Sequence, residues 1–357
     1  TENGRGDRMK EEQTTRLWAV AVRMLLVIAV MASFVLASTA QAAQHDTEGR
    51  RVIPMGRTVG IKLFSDGVMV VGFSEVAAAG GSSAPARECG LREGDIITHI
   101  NSAEVDTIEE VQSVLQQVGG EKMSIRASRD GKQLQVTAQA VQCSADGQYK
   151  LGAWIRDSMA GIGTMTYYDP GTGVFGPLGH GINDVDTALL MPLQSGNIMY
   201  SEVTDVKKGE SGAPGELHGA FQVDRDLGTL SANTAGGVFG TLTDKSLTAG
   251  HTAMEVASRQ QVHTGKASIL TNIAGDTVEE YGLEIMRVYP AGSEDTRDLM
   301  IKVTDPVLLA ATGGIVQGMS GSPVLQDGKV VGAVTHVLVN DPTRGYGILM
   351  ERMLEMA

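Results

Sequence analysis

The chain has 357 residues, enough for two domains with real cores, and 42% of them are hydrophobic, so most of it is expected to fold. With 45 glycines, 4% aromatics and no long helical periodicity, it reads as many short strands joined by turns. A net charge of −13 argues against a nucleic-acid binder, because little here would neutralise phosphates. Two cysteines, Cys89 and Cys143, cannot build a disulfide framework and read as unpaired thiols, with a single bond between them as the alternative.

Taken in chain order, the first feature is an address. Lys10, Arg16 and Arg23 precede an apolar run over residues 24–37 that is short for a membrane span. Ala40-Gln41-Ala42 resembles a signal-peptidase site. Residues 1–50 are therefore expected to be an export signal or a retained membrane anchor, followed by a linker. Either form places everything after Ala43 across the cytoplasmic membrane.

From 51 to 142 the pattern changes to short strands and one helix. Gly90-Leu91-Arg92-Glu93-Gly94-Asp95-Ile96-Ile97 continues through Thr98-His99-Ile100-Asn101 as apolar plug, Gly-Asp turn and apolar strand. Thr107 stands at a helix cap with Glu110 three residues on, and apolar residues follow at 108, 111, 114 and 115. This stretch resembles a PDZ domain. The resemblance implies a groove between that helix and an edge strand, which takes an extended peptide by strand addition. It also places the carboxylate-binding loop at 58–63, with Val59, Gly60 and Ile61 as peptide-binding residues. A plain small α/β domain without a ligand is the alternative.

Two serine loops follow. Gly318-Met319-Ser320-Gly321-Ser322-Pro323 precedes an apolar strand, an Asp327-Gly328 turn and a second apolar strand. It resembles the loop around the nucleophile of chymotrypsin-like serine proteases. A reactive serine needs a tight turn whose small neighbours admit a carbonyl and leave N–H groups free for the oxyanion, here the amides of Gly318 and Ser320. Gly209-Glu210-Ser211-Gly212-Ala213-Pro214 has a similar pattern, but it follows a charged stretch and no strand–turn–strand comes after it, so Ser211 reads as an exposed turn.

Among the histidines, His180 lies between Gly179 and Gly181, small neighbours suited to a base that faces a cleft. His251, in Thr248-Ala249-Gly250-His251, is a minority choice. Asp305 lies at the end of the strand-like run from Leu299 to Pro306, where it could be buried against an imidazole and orient it, with an Asp-Pro turn starter as the alternative. His336 follows the nucleophile loop closely enough to touch substrate or serve structure. His99, His218 and His263 have no companions at metal-ligand spacing, His45 falls in the linker, and there is no phosphate loop or cofactor fingerprint.

Gly161-Ile162-Gly163-Thr164, Leu178-Gly179-His180-Gly181, Ile301-Lys302-Val303-Thr304-Asp305-Pro306 and the run from Gly313 to Pro323 together resemble the stage IV sporulation protein B peptidases. The likeness covers nearly the whole chain after residue 50. It implies His180 as base, Asp305 as acid and Ser320 as nucleophile.

The expected architecture is mainly β with a small α/β part: a PDZ domain at 51–142, then a chymotrypsin-like β-barrel protease domain at 150–357. The resemblance further implies an exported peptidase of the forespore intermembrane space that processes itself. Its target would be a membrane-bound regulator, whose cleavage activates an intramembrane protease and a sigma factor during sporulation. Its partners would be protein substrates, a PDZ peptide ligand and the membrane, with no cofactor. A non-catalytic PDZ signalling adaptor on a degenerate protease scaffold is the alternative, kept by Met319 where such proteases carry Asp.

Overall fold

The structure, a computed structural model, describes residues 49–291 and 296–357. The apolar run at 24–37, Ala40-Gln41-Ala42 and His45 lie outside the described residues. Among the described residues no helix is long and apolar enough to cross a membrane.

The first strand, β1 (Arg51–Phe73), serves two modules. Its pairing register slips between Phe64 and Met69, which re-aims the chain. Past the slip, β1 pairs with β2 (Ile96–Ile100). Then follow helix α1 (Ile108–Val118) and the hairpin of β3 (Lys122–Arg129) and β4 (Lys132–Gln139). Val68, Val70, Leu91, Ile97, Val111 and Ile125 fill this small core. The capping box forms as the sequence predicts: Thr107 Oγ accepts the Glu110 amide at 3.2 Å, and Glu110 Oε2 accepts the Thr107 amide at 3.0 Å. Asp95 of the Gly-Asp turn is buried and takes two bonds of 2.7 Å from Arg129. Cys89 and Cys143 are free thiols.

β5 (Ala153–Tyr168) leaves this module and returns along the first half of β1. β6 (Val174–Pro177), β7 (Ser195–Lys207), β8 (Glu216–Thr234) and β9 (Gly237–Leu242) then close a ring in the order β1–β5–β6–β9–β8–β7, with β7 back on β1. The PDZ module is thus inserted within the first barrel. Residues 51–64, expected in the PDZ domain, are a barrel strand, because their apolar side chains find partners on β5 and β7.

The second barrel is closed: β10 (Gly265–Ala274), β11 (Thr277–Val288), β12 (Leu299–Val303), β15 (Asp341–Leu349), β14 (Lys329–Leu338) and β13 (Pro323–Gln326), which returns to β10. β12 forms the strand expected there, and its burial alternates, with Leu299, Ile301 and Val303 buried. Each such burial contributes about 1.5–3 kcal/mol. α2 (Pro306–Thr312) follows β12, and α3 (Met350–Glu355) ends the chain against the two barrels. The whole is mainly β, with two six-stranded antiparallel barrels and an inserted PDZ domain.

Candidate active site

The nucleophile loop hangs between α2 and β13. Its hairpin forms as predicted, with Asp327 and Gly328 both at positive φ (51° and 74°), as a tight two-residue connection requires. Gly321 is needed for close approach: at φ +96°, an added Cβ would lie 2.0 Å from the Thr164 carbonyl oxygen and 2.5 Å from the Leu178 amide. This contact seats the loop of the second barrel on the first. Thr164 of β5 completes the seat, its amide donating to the Ser320 carbonyl at 3.0 Å and its hydroxyl to the Gly318 carbonyl at 2.8 Å.

Over residues 318–322 two amides are left over. The Gln317 carbonyl accepts the Leu217 amide at 2.9 Å and the Met319 carbonyl accepts the Ser322 amide at 3.0 Å. In a trans peptide the N–H points opposite to the C=O. The Gly318 and Ser320 N–H groups therefore point away from those contacts, and neither has a hydrogen-bond partner among the described residues. They are the pair expected for an oxyanion hole.

His180 follows β6 through a kink in which Leu178, not a glycine, holds φ at +74°. Such strain persists where the surroundings over-determine it, and here the Leu178 amide is tied to the Thr164 carbonyl at 3.1 Å. His180 and Ser320 line one cleft of about 290 Å³, with Ile61, Ile162 and Leu178 among its apolar walls. His180 Nδ1 lies 2.8 Å from the Gly181 carbonyl oxygen. A carbonyl only accepts, so Nδ1 carries the proton and Nε2 is left as a base. Burial pushes the imidazole pKa down from 6.5, partly opposed by the Gly181 carbonyl, so the ring is neutral near pH 7. Ser320 Oγ donates to the Thr335 carbonyl at 2.8 Å. The exposed His336 ring lies across His180, with centroids 5.3 Å apart and planes 37° apart.

Asp305 is not brought to His180. It caps α2, its Oδ1 accepting the amides of Val307 at 2.9 Å and Leu308 at 3.2 Å, while Oδ2 accepts that of Gly282 at 3.3 Å. Burial raises its pKa, and those three amides outweigh the effect and hold the carboxyl below its usual range. The position expected to supply a triad acid is thus a helix N-cap, and the Gly181 carbonyl meets Nδ1 instead.

The loop expected to hold a peptide carboxylate is also elsewhere. Val59, Gly60 and Ile61 are paired on both sides, with Gly163, Ile162 and Gly161 of β5 and with Tyr200, Met199 and Ile198 of β7, so their main chain is committed to the barrel. Between α1 and the start of β5 there is instead a cavity of about 720 Å³, lined by Val111, Leu115, Gly152, Trp154 and Ile155. Residues 153–155 pair with β1 on one edge only. The missed signal is Leu151-Gly152-Ala153-Trp154, a glycine among apolar residues just past the expected domain end. Gly152 is required there, since at φ +71° a Cβ would lie 2.4 Å from the Ser74 carbonyl oxygen.

The decoys separate cleanly. Ser211 is exposed in a turn and donates to the Asn340 carbonyl at 2.9 Å. His251 is exposed after a short 3₁₀ turn. Met319 is fully buried in the core of the second barrel, so at this position packing replaces the usual carboxylate.

A model of the SpoIVB peptidase S55 family matches residues 147–354, more than half of the chain, and a PDZ domain model matches residues 77–129. The chain is 40% identical over 58 residues to zinc metalloprotease RasP of Shouchella clausii, a match covering 16% of this chain and 14% of RasP. It therefore spans a small part of that relative's length. Among solved structures, the PDZ domain of an SdrC-like protein of Listeria monocytogenes is similar at 21% identity over 25% of this chain and 87% of that one, with a TM-score of 0.21. The active form of Rv3671c protease from M. tuberculosis is similar at 13% identity over 56% of this chain and 73% of that one, with a TM-score of 0.31. It is the family match across the barrels and the nucleophile loop that decides the question: this chain is a serine endopeptidase of the SpoIVB peptidase S55 family, with an inserted PDZ domain.

Proposed function

We propose that Ser320 is the nucleophile and His180 its base. Ser320 Oγ turns from the Thr335 carbonyl toward His180 Nε2, gives up its proton there and bonds to the scissile carbonyl carbon. The oxyanion that forms is held by the amides of Gly318 and Ser320. The peptide C–N bond breaks as His180 returns the proton to the leaving amine, and water then hydrolyses the acyl-enzyme by the same route. The Gly181 carbonyl keeps the imidazole in the tautomer this sequence needs. The observation that carries the reading is that His180, Gly318 and Ser320 line one cleft and the amides of Gly318 and Ser320 are unbonded among the described residues. No charged side chain lines that cleft, which favours substrates with uncharged, apolar side chains there.

The inserted domain supports peptide docking along residues 153–155. Membership of the S55 family supports a narrow regulatory role, in which the exported peptidase processes itself and cleaves a membrane-bound regulator during sporulation. The test is a set of single variants assayed for cleavage and self-processing. Ser320→Ala and His180→Ala should each lower kcat by about 10⁴–10⁶-fold, and the double variant should be no worse than either. Ser211→Ala and His251→Ala should stay within about tenfold of the parent, as expected for residues outside the catalytic unit. Loss of activity in Ser211→Ala with retention in Ser320→Ala would overturn the assignment.

A further inference from the structure

β5 touches three sites in turn. Residues 153–155 wall the peptide groove, residues 159–162 line the catalytic cleft, and Thr164 seats the nucleophile loop. Between groove and cleft stand Arg156 and Asp157. Asp157 Oδ2 accepts the amide of Ile108, the first residue of the groove helix α1, at 3.0 Å. Arg156 reaches the segment that follows His180, pairing with Asp184 and, at 2.7 Å, with Asp186. The Asp184 side chain is fully buried, and its other oxygen accepts the amides of Asp186 at 3.1 Å and Thr187 at 2.8 Å and the Thr187 hydroxyl at 2.9 Å. Asp184 folds the His180 segment, and Arg156 is the cation that makes its burial tolerable. The same segment meets the PDZ module again where Leu189 packs on Gly94.

We infer that Arg156 is a positioning residue through which a peptide strand docked on residues 153–155 raises turnover at Ser320. The inference rests on the catalytic roles given to Ser320 and His180. A docked strand hydrogen-bonds the open edge of β5 and fixes the backbone immediately before Arg156. That orders the guanidinium on Asp184, and with it the segment that carries His180. There is an arrangement to shift, since the Ser320 hydroxyl rests on the Thr335 carbonyl and must turn to reach the base. Docking favours the turned arrangement only as far as the peptide binds that state better.

The test uses the full chain. kcat and KM are measured on a short, quenched apolar peptide, with and without a decapeptide ending in three valines and a free carboxylate, whose binding is followed by fluorescence polarisation. We expect kcat to rise about fivefold or more with KM little changed, the usual size of coupling between sites. Arg156→Gln should bind the decapeptide as the parent does and lose the rise, and Arg156→Lys should recover part of it. If Arg156→Gln does not fold, Asp186→Asn, which removes only the exposed half of the clamp, should reduce the rise. A decapeptide that fails to bind, a parent that ignores it, or an Arg156→Gln enzyme that responds fully overturns the inference. Fluorophosphonate labelling of each variant separates the two claims. A labelled Ser320 with no response sinks the coupling alone, whereas absence of label on the parent sinks the catalytic assignment.

Discussion

At Asp305 one oxygen serves the amides of Val307 and Leu308 and the other that of Gly282, so a substitution that keeps an acceptor keeps the helix cap. Asp305→Asn should therefore retain kcat/KM within about tenfold, with an acid limb still below the ordinary histidine pKa of 6.5, whereas loss of a true triad acid costs about 10⁴-fold. Asp305→Ala should destabilise the protein by about 0.5–2 kcal/mol through the lost cap. A pH–rate profile of Asp305→Asn with kcat/KM down a thousandfold or more, in a protein that melts normally, would restore Asp305 to the triad. That Ser320 and His180 would meet at one cleft was legible in the sequence, because a tight turn and a cleft-facing ring both call for glycine neighbours. The function of Asp305 was not, since an acid ending a strand and an acid opening a helix before proline look alike until the tertiary partners are known. The Gly181 carbonyl leaves no side-chain signature at all.

Among the elements, the nucleophile loop depends on a backbone approach that no side chain can enter. Gly321→Ala would force the loop away from Thr164 and Leu178, straining backbone rather than a flexible side chain. It should destabilise by about 1–3 kcal/mol, as overpacking does, and should lower kcat with it because the Gly318 and Ser320 amides lose their seat. Thermal melts and kcat on one preparation check both, and a Gly321→Ala enzyme with parental kcat would contradict the seat. The β13–β14 hairpin and the capped helix α1 were readable because their signals are local. The assignment of residues 58–63 failed because apolar-Gly-apolar serves equally in a barrel wall and in a carboxylate loop. Which edge such a segment joins is decided by strands a hundred residues away.

On the scale of the whole molecule, the PDZ module lies between two strands of the first barrel that pair along their length, and the second of them, β5, lines both the cavity beside α1 and the cleft that holds His180 and Ser320. A boundary drawn where composition changes, near 142–150, separates what these two strands join. The first barrel carries His180 and the second carries Ser320, and the central claim is that these two side chains act as a unit, base and nucleophile. The most direct measurement is mass-spectrometric mapping of a fluorophosphonate adduct on the folded protein. The adduct should fall on Ser320, vanish in His180→Ala and persist in Asp305→Asn. An adduct on Ser211, or one on Ser320 that forms at the parental rate without His180, would contradict the account.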